Sequence, residues 1–198
     1  MCGLVLLAGE QSEQLISACT TRLQHRGPDE HSIYTGENFS IGFRRLAING
    51  DMNEGRQPYE TQGWLAAVNG EIYNYQELAE QYQLTASSCD TSVVLPLYLK
   101  LKEKAIDILD GFFAAVLLNP TRTEAICLRD SMGKKPLFVG ATRGIVFITS
   151  ELKALKSADW LKALPKGVSR VDLQSGEVTL LKGPVVKRSD AYLKEALT

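Results

Sequence analysis

Short runs of alternating or β-branched apolar residues recur along this chain of 198 residues, and they fall in groups, with helical spacing confined to the intervals between groups. Alternation bounded by Gly, Pro and polar clusters predicts strands at Gly3 to Leu7, Ser32 to Tyr34, Phe39 to Leu46, Leu65 to Asn69, Phe113 to Leu118, Glu124 to Leu128, Leu137 to Ala141 and Val146 to Ser150. Two more, at Gly167 to Asp172 and Val178 to Leu181, are joined by the turn signal Gln174-Ser175-Gly176, and most of the strands can pair as hairpins. Helical spacing predicts helices at Glu13 to Gln24, Tyr75 to Gln81 and Thr91 to Lys102 and a short piece at Leu152 to Lys156, with Ser12 and Asp90 as N-caps. Helices clustered between groups of strands specify an α+β fold with antiparallel sheets covered by helices, against a regular βαβ alternation. No repeat or low-complexity segment interrupts the chain, so one domain over residues 1–183 is the simplest description, with 184–198 a charged tail or the start of a linker.

Charge narrows the ligand class. Lys and Arg number 22 against 23 Asp and Glu, so no overall field favours nucleic acid or an anionic membrane surface, and a small, roughly neutral ligand fits better. The apolar run after Met1 is short and lacks the basic region of a secretory signal, and no stretch approaches a membrane span. A cytoplasmic location follows as an expectation. The cysteines at 2, 19, 89 and 127 form no C-x-x-C pair and have no zinc-ligand spacing, so free thiols and no metal are expected.

One cysteine stands apart. Removal of Met1 would leave Cys2 with its thiol beside a free α-amine. A thiol with a pKa of about 8.5 and an amine of about 7.7 to 8.0 exchange a proton easily near neutral pH, so a single residue supplies nucleophile and base. Read alone, Met-Cys-Gly serves equally well as the start of a buried strand, because Cys is also a small hydrophobe. Cys19, Cys89 and Cys127 have no comparable feature and read as buried structural thiols.

Further segments follow in order: His25-Arg26-Gly27-Pro28-Asp29, Arg44-Arg45-Leu46-Ala47-Ile48, Gly55-Arg56-Gln57-Pro58 and Val68-Asn69-Gly70-Glu71-Ile72-Tyr73-Asn74. They continue with Cys89-Asp90-Thr91, Leu109-Asp110-Gly111-Phe112-Phe113-Ala114, Arg129 through Leu137, and Ser150-Glu151-Leu152-Lys153-Ala154-Leu155. Together with Met1-Cys2-Gly3 this series resembles the class II glutaminase domain of asparagine synthetases. The HRGPD and Arg-Leu-x-Ile segments resemble that branch more than the phosphoribosylamine-forming one. The resemblance implies an N-terminal-nucleophile hydrolase fold, a four-layer αββα sandwich of two antiparallel sheets. It also implies hydrolysis of glutamine to glutamate and ammonia through a γ-glutamyl thioester on Cys2.

Each role has a chemical reason. The oxyanion formed at the amide needs preorganised donors, which by resemblance are the Asn69 side chain and the Gly70 backbone N–H. Read locally, Asn69-Gly70 favours a type I′ hairpin turn. The α-carboxylate of glutamine calls for a planar cationic fork, and Arg45 is the candidate, while strand alternation points Arg44 to the other face. By resemblance Asp90, with Glu71 or its carbonyl, takes the α-ammonium, and Leu46 to Ile48 present backbone groups along the substrate. An isolated Asp at a helix start is otherwise an ordinary N-cap. Asn49 and Cys89 depart from the residues common at those positions. Arg26, Gly27 and Asp29 belong to a loop expected to fold over the occupied site, or read locally to a Gly-Pro turn with a salt bridge. His25 and His31 read as structural, since the terminal amine already fills the base role. The Arg129-to-Leu137 segment is expected to support the core and an interface with a synthetase.

The chain contains no Ser-Gly-Gly-x-Asp-Ser loop, no G-x-x-x-x-G-K-[ST] and no G-x-G-x-x-G, so neither ATP nor any other cofactor is expected to bind. Ammonia released into water is protonated and lost as a nucleophile, so a synthetase subunit or domain is expected to receive it, with L-glutamine as substrate and no direct contact with nucleic acid or membrane. Two other readings share the fold: an N-terminal-cysteine amidohydrolase acting on a different amide, and a non-catalytic regulatory subunit.

Overall fold

A strand whose residues are apolar at every position must be buried on both faces, and Gly3–Ala8 is such a strand. The computed structural model of the protein describes residues 1–10, 13–48, 55–85 and 88–184. Its strands in chain order are β1 (Gly3–Ala8), β2 (Glu30–Thr35), β3 (Phe39–Arg45), β4 (Tyr59–Thr61), β5 (Trp64–Ile72), β6 (Gly111–Leu118), β7 (Glu124–Arg129), β8 (Phe138–Thr142), β9 (Ile145–Thr149), β10 (Trp160–Ala163), β11 (Gly167–Asp172) and β12 (Val178–Lys182). The helices are α1 (Glu13–Arg22), α2 (Tyr75–Gln81), α3 (Val94–Leu101) and α4 (Ala105–Ile108).

Two antiparallel sheets result, ordered β10-β8-β9-β1-β3-β2 and β12-β11-β7-β6-β5-β4. Period two then sorts the side chains into layers. Leu4 and Leu6 of β1 meet Leu65 and Ala67 of β5 in the core between the sheets. Val5 and Leu7 point the other way, onto Ile16 and Cys19 of α1. Ala66 and Val68 of β5 likewise face away from the inter-sheet core, onto Val94 and Leu97 of α3. The order of layers is helix, sheet, sheet, helix. Each fully buried Leu or Val stabilises this arrangement by roughly 1.5–3 kcal/mol, so the doubly buried central strands anchor it.

Differences from expectation have local causes. The stretch expected as one helix from Thr91 to Lys102 is a 3-10 turn over Asp90–Val93 followed by α3, whose third residue is Pro96. Proline lacks an N–H and is tolerated in a first turn, where that donor has no partner. The helix expected to run to Gln24 stops at Arg22 and continues as a 3-10 turn over Gln24–Arg26. The short piece at Leu152 is also a 3-10 turn, Leu152–Ala154. β4, β10 and α4 were not foreseen. The turn at Gln174–Gly176 is as expected: the Asp172 carboxylate accepts from the backbone N–H groups of Gln174 (3.1 Å) and Ser175 (2.7 Å), and Gly176 has φ +75°. Ser12, Asn49 and the tail beyond Pro184 lie outside the described residues.

Candidate active site

Cys2 stands at the entry to the central strand, and two segments, 25–26 and 150–151, hold it there. Backbone and side-chain groups of Ser150 bracket Leu4, with Ser150 N donating to Leu4 O at 3.0 Å and Leu4 N donating to Ser150 Oγ at 3.2 Å. The Arg26 Nε donates to the Cys2 carbonyl oxygen at 2.8 Å. That guanidinium is itself buried and paired with Glu151 at 2.6 Å, where His25 Nε2 also approaches at 3.1 Å. Burial opposes ionisation of Glu151, but the hydrogen bonds from Arg26 and His25 prevail and hold its carboxyl at about 2, below the ordinary 4.5.

A carboxyl depressed in the folded state stabilises the fold above its unfolded pKa, and that contribution is lost as pH falls from about 4.5 toward about 2. Glu151→Gln is therefore expected to cost about 1–2 kcal/mol at pH 7, an amount tempered by partial exposure. Urea denaturation at pH 7 and at successively lower pH checks this: the gap between the two proteins should close as the acid is approached.

The Cys2 thiol is half-buried, and burial pushes its pKa up, with the positive chain terminus and Arg45 acting in the opposite direction. Its Sγ lies 3.8 Å from the Leu46 carbonyl oxygen. A thiol so placed is a weak nucleophile until a base takes its proton.

Opposite Cys2 runs β5. Asn69 and Gly70 sit inside that strand, paired with Ala114 and Phe113 of β6, so the hairpin-turn reading of Asn-Gly does not apply. Gly70 packs so closely that a Cβ there would lie 2.5 Å from the Phe112 carbonyl oxygen. Asn69 is 1% exposed, and its amide nitrogen has no hydrogen-bond partner among the described residues. An unpaired buried donor is uncommon and costs stability, so its presence calls for a purpose. Just before it, the Gln57 side chain holds β5 at Val68 like an added strand residue, donating to Val68 O at 3.1 Å and accepting from Val68 N at 2.6 Å.

Two opposite charges complete the cleft. Arg45, at the end of β3, is buried and 3.4 Å from Glu30, and Gly55 lies so near that a Cβ there would meet its guanidinium. Asp90 is also buried, accepts from the Ile72 backbone N–H at 2.6 Å, and has no ion-pair partner among the described residues. Burial raises its pKa, the Ile72 hydrogen bond opposing, and a ligand ammonium at this carboxylate would favour the charged form.

One cleft is lined by Cys2, Arg45, Leu46, Ile48, Asn69, Gly70, Glu71 and Asp90, segments far apart in the chain. Ile48 and Glu71 are exposed at its rim. Arg26, Gly27 and Asp29 do not line it. The segment expected to fold over the site is built into its frame: Arg26 and Gly27 are buried, and the Asp29 carboxylate accepts from Ala47 N at 2.8 Å, bracing the 46–48 wall. Neither histidine lines the cleft, whereas Cys89, buried as expected, contributes to its wall.

Sequence reasoning placed none of Gln57, Gly55 and Lys135 in the site, yet all of them line the cleft. The signal available was that Gln57 and Gly55 fall in one quoted segment and Lys135 in another. No cluster of His, Cys, Asp or Glu able to hold a metal occurs among the described residues, and no helix there is long and apolar enough to cross a membrane.

The family model for the glutamine amidotransferase domain matches residues 1–175. A probable glutamine-hydrolysing asparagine synthetase of Acanthamoeba polyphaga mimivirus is 36% identical over 170 residues, covering 79% of this chain and 31% of that protein. Glutamine-hydrolysing asparagine synthetase 2 of Oryza sativa subsp. japonica is 38% identical over 168 residues, covering 78% of this chain and 28% of that protein. The chain thus spans under a third of the length of these relatives. Among solved structures, glutamine phosphoribosylpyrophosphate amidotransferase from B. subtilis superposes with a TM-score of 0.74 at 21% identity, covering 91% of this chain and 49% of that one. That likeness extends to the fold.

Proposed function

This chain belongs to the glutamine amidotransferase domain family, and we propose that its cleft hydrolyses the side-chain amide of free L-glutamine, releasing ammonia to a synthetase subunit or domain. The observation that carries this reading is the buried Asn69 amide without an acceptor, in the same cleft as the Cys2 thiol. Arg45 and Asp90 in that cleft match the carboxylate and ammonium of a free amino acid, with Glu71 beside the latter and Leu46 to Ile48 along its length.

The steps follow from those placements. Freed by loss of Met1, the Cys2 α-amine takes the thiol proton, and Sγ attacks the amide carbon. The negative charge passes to the carbonyl oxygen, which the Asn69 amide and the Gly70 N–H stabilise. On collapse the C–N bond breaks, the protonated amine gives its proton to the departing nitrogen, and ammonia leaves a γ-glutamyl thioester on Cys2. Water, deprotonated by the same amine, then releases glutamate and the thiol. Arg26, Gly27 and Asp29 act here as the frame that holds Cys2 and the 46–48 wall in register. The chain beyond residue 183 serves as a linker or tail toward the ammonia acceptor.

Intact mass before and after incubation with 6-diazo-5-oxonorleucine, a glutamine-mimicking electrophile, tests the reading. Loss of Met1 and one adduct mapping to Cys2, absent in Cys2→Ala, is the expected result. Retained Met1, or a correctly processed protein that takes up no label, sinks it.

A further inference from the structure

Lys135 reaches the cleft from the segment between β7 and β8, and its backbone is fixed on both sides. Its N–H donates to Asp130 Oδ2 at 3.2 Å, and its carbonyl accepts from Arg129 Nε at 3.2 Å. Asp130 is buried and also accepts from the N–H groups of Phe113 (3.2 Å) and Lys134 (3.0 Å), so the loop is tied to the strand opposite Asn69. The side chain lines the cleft with Met1 and Cys2.

Three cations surround the nucleophile, and two are neutralised by carboxylates: Arg26 by Glu151 at 2.6 Å and Arg45 by Glu30 at 3.4 Å. Lys135 has no ion-pair partner among the described residues. The other charged or titratable groups facing the terminus from neighbouring elements are Asp29, engaged with Ala47 N, Asp90, engaged with Ile72 N, Glu71 at the rim and the Cys89 thiol. Of these three cations Lys135 is thus the one with no carboxylate partner among the described residues.

We infer that Lys135 is a positioning residue for the proton: its ammonium biases the Cys2 thiol and α-amine toward thiolate and neutral amine. This rests on the glutaminase reading and deepens it. A nearby cation favours a thiolate and disfavours an ammonium, so it lowers both macroscopic pKa values of the coupled pair. The α-amine of Met1, one residue before, shows the same pressure: burial lowers its pKa, and Arg26 and Lys135 lower it further against the opposing Cys2 thiol and Asp29.

The test is the rate of Cys2 alkylation by iodoacetamide as a function of pH, on protein shown by intact mass to lack Met1, in wild type, Lys135→Met, Lys135→Gln and Lys135→Arg. Loss of the charge should move the midpoint up by about 0.5–1 pH unit, slowing alkylation roughly 3–10-fold on the acid side, and Lys135→Arg should restore it. The Gln variant reads the same quantity if the Met variant does not fold. Profiles that superimpose on wild type overturn the inference, as does an Arg profile displaced as far as the Met one. The reagent is neutral and needs no glutamine site, so this failure is distinct from absence of a 6-diazo-5-oxonorleucine adduct. Retained Met1 overturns the inference together with the function beneath it.

Discussion

Cys2→Ala is expected to lower glutamine turnover by roughly 10³-fold or more while leaving glutamine affinity within about threefold of wild type. The separation follows from the layout of the cleft. In the proposed function, affinity for glutamine rests on Arg45 and Asp90, which reach the cleft from β3 and from the turn before α3, and neither placement depends on the thiol. The substitution removes a half-buried sulfur and leaves the Arg26 hydrogen bond in place, because that bond is made to the Cys2 carbonyl. Steady-state ammonia release measures the first quantity and calorimetric titration of the inactive variant with glutamine the second. Turnover within tenfold of wild type would remove Cys2 from the chemistry, and loss of binding along with turnover would mean that the thiol shapes the pocket.

The parts of this fold legible in the sequence are those buried on two faces. β1 is apolar throughout because α1 lies on one side of it and the second sheet on the other, and that doubled burial leaves an unbroken signal. β10 is exposed at all four residues and β4 has only three, so neither leaves a readable alternation, and α4 is too short to show a helical period. The Asn69-Gly70 pair shows the reverse error. Local rules favour a turn, but eight residues of β5 pair with β6, and that pairing overrides a dipeptide preference. Spacing alone could not have gathered the site, whose members approach only when β1, β3 and β5 stack. Its candidates came from resemblance, and what resemblance left out, Gln57 bracing Val68 of β5 and Lys135 in the wall, are contacts between segments distant in the chain that form only on folding.

The Asn69 amide carries the sharper test of mechanism, because its structural and chemical roles predict opposite things. A buried Asn kept for stability would have its nitrogen paired, and replacing it would then cost fold stability and leave catalysis largely alone. Here the nitrogen has no acceptor among the described residues, and in the proposed function the donor awaits charge that exists only during reaction. Asn69→Ala is accordingly expected to lower kcat by about 10²–10³-fold with KM within about threefold, since the oxyanion is absent from the ground state. Asn69→Asp preserves the shape but presents an acceptor in place of the donor, so it should be at least as slow. Thermal unfolding followed beside the kinetics separates the two roles. If Asn69→Ala melted far below wild type but turned over glutamine at a comparable rate, Asn69 would be a strut of β5 and the oxyanion would have to find its donors elsewhere, with the Gly70 N–H the next group to examine.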